Sequence, residues 1–240
     1  MSETKLTFKR YEKKYLLSRE KYEALRAQLD CHIVPDEYFQ STVCSIYYDS
    51  DDYTLIRHSI EKPVYKEKLR LRSYNTPGPD GTVFVELKKK YKGLVYKRRI
   101  TMTNSQAMAY LSGKAPAPFE NQMTHELDWF LHENPVRPKV LIACDRTAYV
   151  DKENSELRFT FDENMRFRRT ELDLTAGSHG EPIIEPGMVL MELKIPGAAP
   201  VWLARILSEL EIFATGFSKY GTCYTNYILD EYFNGVFCCV

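Results

Sequence analysis

The 240-residue sequence has no apolar run approaching the roughly 18 residues that a membrane-spanning helix needs. Its first residues, Met-Ser-Glu-Thr-Lys, lead into no apolar stretch of the kind a secretion signal carries. It also lacks an excess of either charge. The 33 Lys and Arg balance the 33 Asp and Glu, so no net field draws the molecule toward nucleic acid or an anionic membrane, and any pull on polyanions has to be local. Six cysteines (Cys31, Cys44, Cys144, Cys223, Cys238 and Cys239) lack the short paired spacings of zinc sites, and without a signal no disulfide framework is expected. They read as reduced thiols, mostly buried. No internal repeat or low-complexity tract is visible. These absences point to a soluble, cytoplasmic protein with no membrane segment, and an apolar share of 44% suits one domain over residues 1–240.

Turn chemistry and apolar periodicity then divide the chain. Strands are expected over 5–17, 42–48, 65–74, 82–90, 94–102, 139–150, 156–162 and 188–195. Ser18 offers the cap of a helix to Leu29 with Tyr22, Leu25 and Leu29 as its apolar stripe, and Pro35 is expected to end that unit. The run 49–52 suits a turn or the cap of a short helix ending near Arg57. Further helices are expected from Thr103 or Asn104 to Leu111, over 119–132, over 201–210 and over 218–232. The apolar and aromatic residues of 227–237 read as packing for the last of these. Hairpins at 75–81 and at Lys92-Gly93 dominate the connections, so the fold class is α+β on an antiparallel sheet.

Charge follows the strand period. Residues 66–72 read Lys-Glu-Lys-Leu-Arg-Leu-Arg, and on a strand Lys66, Lys68, Arg70 and Arg72 then share one face. Following every strand at period two collects Arg10, Glu12, Lys14, Lys66, Lys68, Arg70, Arg72, Glu86, Lys88, Lys97, Arg99, Arg146, Arg158, Asp162, Glu192 and Lys194, twelve cations against four anions. The reverse face carries Tyr11, Leu69, Leu71, Val83, Val85, Leu87, Leu157, Phe159, Met191 and Leu193, which must pack against helices. A solvated sheet face mixes signs and includes Thr, Ser and Gln. This one is charged at position after position, and like charges about 4 Å apart repel by about 4 kcal/mol at an effective dielectric near 20. A polyanion or several phosphates relieve that crowding. Arginine can fork onto two phosphate oxygens while lysine acts as a point charge. The acids then suit a divalent cation with oxygen ligands, Mn²⁺ or Mg²⁺, with Glu192 first and Glu12 and Glu86 next, against the plainer reading of salt bridges to neighbouring cations.

Several passages carry a resemblance. They are Arg-Tyr-Glu-Lys-Lys-Tyr (10–15), Tyr-Tyr-Asp-Ser (47–50), Lys-Leu-Arg-Leu-Arg (68–72), Val-Glu-Leu-Lys (85–88), Val-Tyr-Lys-Arg-Arg (95–99), Cys-Asp-Arg-Thr-Ala-Tyr (144–149), Arg-Phe-Thr-Phe-Asp (158–162), Met-Glu-Leu-Lys (191–194) and Phe-Ser-Lys-Tyr (217–220). In this order they resemble the triphosphate tunnel metalloenzymes, or CYTH-like proteins, and within them the VTC domain, the polyphosphate polymerase module of the vacuolar transporter chaperone complex.

The resemblance implies an eight-stranded antiparallel β-barrel, a tunnel with flanking helices, that holds ATP or another triphosphate by its phosphates. With a divalent metal it moves the γ-phosphoryl group onto inorganic polyphosphate. It implies that Lys14, Lys68, Arg70, Arg72, Lys88, Lys97, Arg99, Arg146, Arg158, Lys194 and Lys219 bind phosphate. Lys14, Arg70, Arg72, Lys194 and Lys219 stand closest to catalysis, and Glu192 ligates metal. Many CYTH members begin Glu-x-Glu-x-Lys, whereas here only Glu12 and Lys14 remain, after Arg10; this looks like the VTC branch and argues against a two-metal hydrolytic arrangement. Fungal VTC proteins carry phosphate-sensing and membrane segments that this sequence does not contain, so passage of product through a membrane is expected to need a partner protein.

Other readings stay open. A triphosphatase would use water as acceptor on triphosphate, thiamine triphosphate or a nucleotide; an adenylate cyclase ranks third. A noncatalytic sensor of polyphosphate or nucleotide would keep the cations without turnover. A nucleic-acid-binding barrel ranks last, because such sites interleave stacking aromatics with cations. His32, His58, His125, His132 and His179 fall outside the charged strands and read as surface or packing residues rather than catalytic bases.

Overall fold

A computed structural model describes residues 10–92 and 94–230. Lys5, Gly93, Tyr232, Phe237, Cys238 and Cys239 therefore lie outside the described residues, with the start of the first expected strand, the turn of the second hairpin and the end of the last expected helix. The elements run β1 (Arg10–Leu17), α1 (Arg19–Leu29), β2 (Ile33–Asp49), α2 (Thr54–Ile60), β3 (Tyr65–Tyr74), β4 (Thr82–Tyr91), β5 (Leu94–Thr103), α3 (Asn104–Leu111), α4 (Gln122–Glu133), β6 (Arg137–Asp151), β7 (Arg158–Arg168), β8 (Glu181–Pro182), β9 (Val189–Pro196), α5 (Val201–Glu209) and α6 (Lys219–Cys223), the last followed by a π-helical turn, Tyr224–Ile228.

The protein is α+β on a large antiparallel sheet. Strand order is β1-β9-β7-β6-β2-β3-β4-β5, with β8 beside β7. The expected eight-stranded barrel is approximate in one respect: β1 and β5 end this path, and among the described residues no backbone ladder joins them. Contacts divide the chain into two compact units.

The first unit comprises Met1–Ser41, Asp145–Asn164 and Ile184–Phe217. Its core joins Tyr15 and Leu17 of β1, Leu25 and Leu29 of α1, Phe159 and Phe161 of β7, Met191 and Leu193 of β9, and Leu203 and Ile206 of α5. This is the period-two face of the strands packed on the 3.6-period stripe of two helices. Tyr11, expected on that packed face, is instead 47% exposed near the strand's beginning. Ser18 caps α1 by accepting from the Lys21 N–H.

The second unit comprises Thr42–Cys144, Met165–Ile183 and Ser218–Val240. Its core holds Ile46, Leu69, Leu71, Val83, Val85, Leu87 and Ile100 from the strands against Ala107, Tyr110, Leu127 and Phe130 from α3 and α4. Thr103 and Gln106 close a capping box at α3, and Asn121 and Thr124 another at α4. These caps set the helix starts.

Three elements depart from expectation. Pro35 does not end that stretch, because β2 begins at Ile33 and passes through it where Val34 and Pro35 are exposed. A proline is tolerated in a strand where no ladder donor is needed. Strand β7 runs on past Asp162 to Arg168, because Asn164 takes a left-handed backbone (φ 47) that this residue type tolerates. The helix expected over 218–232 changes to π geometry after Cys223. Cys44, Cys144 and Cys223 are buried and Cys31 is exposed.

Candidate functional site: two charged clusters

In the second unit the antiparallel register sets the charges in rows. Lys68 of β3, Lys88 of β4 and Lys97 of β5 lie directly across from one another, and one step along the sheet so do Arg70, Glu86 and Arg99. Like charges directly opposite on neighbouring strands destabilise a sheet. Glu86 relieves part of this. Its carboxylate is fully buried and accepts from Arg70 Nε (2.7 Å), Arg99 Nε (2.6 Å) and Lys97 Nζ (2.7 Å), with Arg72 Nε at 4.0 Å. Burial alone would raise the Glu86 carboxyl, but Arg70, Arg72 and Lys97 outweigh it and hold the group well below the usual carboxylate range. One anion thus orients four cations, and Lys68 and Lys88 extend the set.

Strand β2 adds groups that period-two counting of charges missed. Ser45 is across from Arg72 and Tyr47 from Arg70. Arg72 Nε donates to Ser45 Oγ (3.1 Å), and Arg70 Nη1 donates to Tyr47 Oη (3.4 Å). Tyr47 lies on the charged face yet is buried, because Tyr220 stacks on it with ring centroids 4.8 Å apart. Burial would raise its phenol, but Arg70, Arg72 and Lys219 reverse the shift and lower it. The signal was present: reading 42–48 at period two places Ser45 and Tyr47 with the cations. Tyr220 donates to Asp49 Oδ2 (2.9 Å), and Lys68 Nζ donates to Ser218 Oγ (3.1 Å), so the residues on either side of Lys219 are both tied to this face.

In the first unit, register places Lys14 of β1 across from Glu192 of β9, which faces Thr160 of β7; one step along are Glu12, Lys194 and Arg158. Lys14 Nζ is 3.2 Å from Glu192 and 3.9 Å from Glu12. Arg146 grips Asp162 through two bonds (2.6 and 2.7 Å) and lies 3.9 Å from Glu192. Arg158 pairs with Asp36 at 2.9 Å, an acid absent from the sequence-derived face. Among the described side chains of these strands, four acids (Glu12, Asp36, Asp162, Glu192) stand with four cations (Lys14, Arg146, Arg158, Lys194), whereas β3, β4 and β5 of the second unit set six cations about Glu86. Thr160 Oγ1 and Arg158 Nε are buried without a hydrogen-bond partner among the described residues. The histidines lie elsewhere: His32 stacks on Trp202 (4.0 Å), while His58 sits in α2, His125 and His132 in α4 and His179 in a loop.

Among the described residues no three His, Cys, Asp or Glu side chains gather as a metal site, and no helix is long and apolar enough to cross a membrane.

The chain belongs to the VTC domain family, whose model matches residues 9–228. Several solved structures resemble the chain, and two of them show the fold. One is a candidate adenylate cyclase from Bacillus halodurans, 17% identical over 86% of this chain and 92% of that one, with a TM-score of 0.55. The other is a Hippeastrum protein described as a candidate adenylyl cyclase with a dominant triphosphatase activity, 13% identical over 89% of this chain and 94% of that one, with a TM-score of 0.53. No curated protein matches the chain.

Proposed function

We propose that this VTC-domain chain is a polyphosphate polymerase module that binds ATP and polyphosphate through its strand cations and moves the γ-phosphoryl group onto the growing chain. The observation that carries this reading is the Glu86 cluster: six basic residues on three adjacent strands around one buried acid, in a member of this family. Arg70, Arg72 and Arg99 can fork onto phosphate oxygens while Lys68, Lys88, Lys97 and Lys219 act as point charges. In the first unit, Lys14, Arg146, Arg158 and Lys194 form a cationic set of their own, suited to phosphate oxygens.

In the transfer, a terminal oxygen of the acceptor chain forms a bond to the γ-phosphorus, the bond from that phosphorus to the β–γ bridging oxygen breaks, and ADP leaves. The attacking oxygen is already anionic, so no protein base is required. Catalysis is positioning and charge stabilisation, which suits a face rich in fixed cations and poor in histidine.

A divalent cation, Mn²⁺ or Mg²⁺, fits Glu192 and Glu12. Both carboxylates reach Lys14, and Thr160 Oγ1, across from Glu192, is buried with no partner of its own. Mg²⁺ is commonly held by one or two carboxylates plus substrate phosphates. When bound, the ion supplies neutralisation of phosphate charge. Glu86 does not fit a metal, since four cations enclose it; its role is to anchor them. We place the reaction in the cytoplasm, with membrane passage of product left to a partner protein.

A triphosphatase with water as acceptor is the second reading, favoured by the activity described for the Hippeastrum neighbour. Incubation with ATP and Mn²⁺ separates the readings. A ladder of long phosphate chains on a gel is the expected result. Orthophosphate alone supports the triphosphatase, pyrophosphate a cyclase, and binding without product a sensor.

A further inference from the structure

We infer that the tip of the β4–β5 hairpin docks on a membrane surface that carries anionic lipid. Six apolar or aromatic side chains gather there, Val64, Tyr65, Tyr91, Leu94, Val95 and Tyr96, each between 42% and 62% exposed. Register explains the grouping. Tyr65, Tyr91 and Leu94 lie directly across from one another on β3, β4 and β5, and Tyr96 follows Leu94 on the same side of its strand. The Lys92 N–H donates to the Val64 carbonyl (2.9 Å), which holds Val64 beside the tip.

By strand parity this row continues the core-facing side that carries Leu69 and Leu87. Nearer the core, α4 covers that side, and its Glu126 pairs with Lys89 (3.7 Å) and Arg98 (3.0 Å). At the tip the same side is open to solvent. A sheet face that stays apolar beyond its covering helix marks an interaction surface.

Charge decides what it meets. Lys66 is engaged by the Ser59 carbonyl (2.9 Å), and Lys89 by Glu67 and Glu126, so neither enters the count. Lys62, Lys90 and Lys92 do, and all three are exposed. Lys92 holds its ammonium 5.4 Å from the Tyr91 ring centroid, a contact with the ring face that it can keep while donating to a phosphate. Burial and then the charges of Lys90 and Lys62 lower the Lys66 ammonium from its ordinary value, so like charge is crowded at this end of the sheet. An anionic surface relieves that crowding, whereas a second copy of the chain would set Lys90 and Lys92 against themselves. Val95 projects from the side opposite Leu94 and Tyr96, so both sides of the hairpin present apolar groups, the form of a wedge between headgroups rather than of a flat protein contact. Tyrosine suits that depth, with an apolar ring and a wet hydroxyl, and lysine stems reach back from it to lipid phosphates. The inference rests on no step of the proposed transfer.

Co-sedimentation of the full chain with vesicles tests it. Binding is expected to phosphatidylcholine vesicles that contain phosphatidylserine, and to weaken at least tenfold on phosphatidylcholine alone or in raised salt. Leu94→Ser/Val95→Ser is expected to lose at least tenfold in affinity, and Lys90→Gln/Lys92→Gln on the order of twentyfold, at about fivefold per cation. All four side chains are exposed, and an unchanged circular dichroism spectrum checks that the variants fold. Arg72→Ala is expected to bind vesicles as wild type does. No binding to either vesicle, or binding that survives Leu94→Ser/Val95→Ser, overturns the inference; if that surviving binding is lost in Arg72→Ala, the lipid phosphates belong to the Glu86 face. A chain that ignores vesicles but self-associates through Leu94 and Val95, or binds polyglutamate through Lys90 and Lys92, overturns it in favour of a protein contact.

Discussion

Glu86 is an acid placed where only cations surround it, and its removal leaves Arg70, Arg72, Lys97 and Arg99 uncompensated. Breaking a buried ion pair from one side costs about 3 kcal/mol or more, so Glu86→Gln is expected to lose about that much stability in chemical denaturation. The sign with pH follows. The folded carboxyl lies below its unfolded value of about 4.3, so its contribution is fully present above that value and fades as pH falls through the folded one. The stability gap between wild type and Glu86→Gln should therefore hold from pH 7 to about 5 and narrow below about 4; a gap independent of pH would contradict the charge assignment. The cations of this cluster behave oppositely. Arg72→Ala or Lys88→Ala is expected to cut tripolyphosphate affinity at least tenfold while leaving the fold intact or more heat-stable, because like-charge crowding falls. In the first unit, Glu192→Gln should spare ATP binding and remove Mn²⁺-dependent turnover, and an unchanged dependence on Mn²⁺ would clear Glu192 of that role.

Short elements carry the residues that brace this face. Asp49, at the end of β2, is fully buried and accepts from the Ser50, Leu55 and Ile56 N–H groups and from Tyr220 Oη. It therefore caps α2 and ties down α6 in one carboxylate. Asp49→Ala strands these donors and is expected to cost about 3 kcal/mol, read as a shift in denaturation midpoint; a shift under about 1 kcal/mol would show that α6 is held by packing alone. The sequence made strands β3, β4 and β5 legible almost to the residue, since their alternation of charge and Leu or Val has a single solution for which face is buried. It made Ser18 and Thr103 legible as caps for the same local reason. It hid the extent of β2 and β7, where Pro35 and Asn164 look like stops but sit in backbone states each tolerates. It also hid Tyr47, whose burial depends on Tyr220, 173 positions away, and Asp36, whose partner Arg158 is on another strand. Such pairings exist only after the chain has folded.

Net neutrality of the whole molecule conceals an uneven distribution. The charged strands of the first unit pair acid with base, while those of the second gather six cations around one acid. Affinity for phosphate chains should then fall with added salt, in proportion to the number of cations engaged. A ligand that binds only the folded state also stabilises it, by about 2.7 kcal/mol at a hundredfold excess over Kd. The most direct measurement of the central claim is thermal unfolding of wild type and Arg72→Ala with and without tripolyphosphate. A clear rise in Tm is expected for wild type on adding the anion, and a smaller rise for Arg72→Ala, whose Tm without ligand is equal or higher. A wild-type Tm indifferent to the anion, or a variant that unfolds earlier yet responds in full, would mean that these cations are not there to hold phosphate.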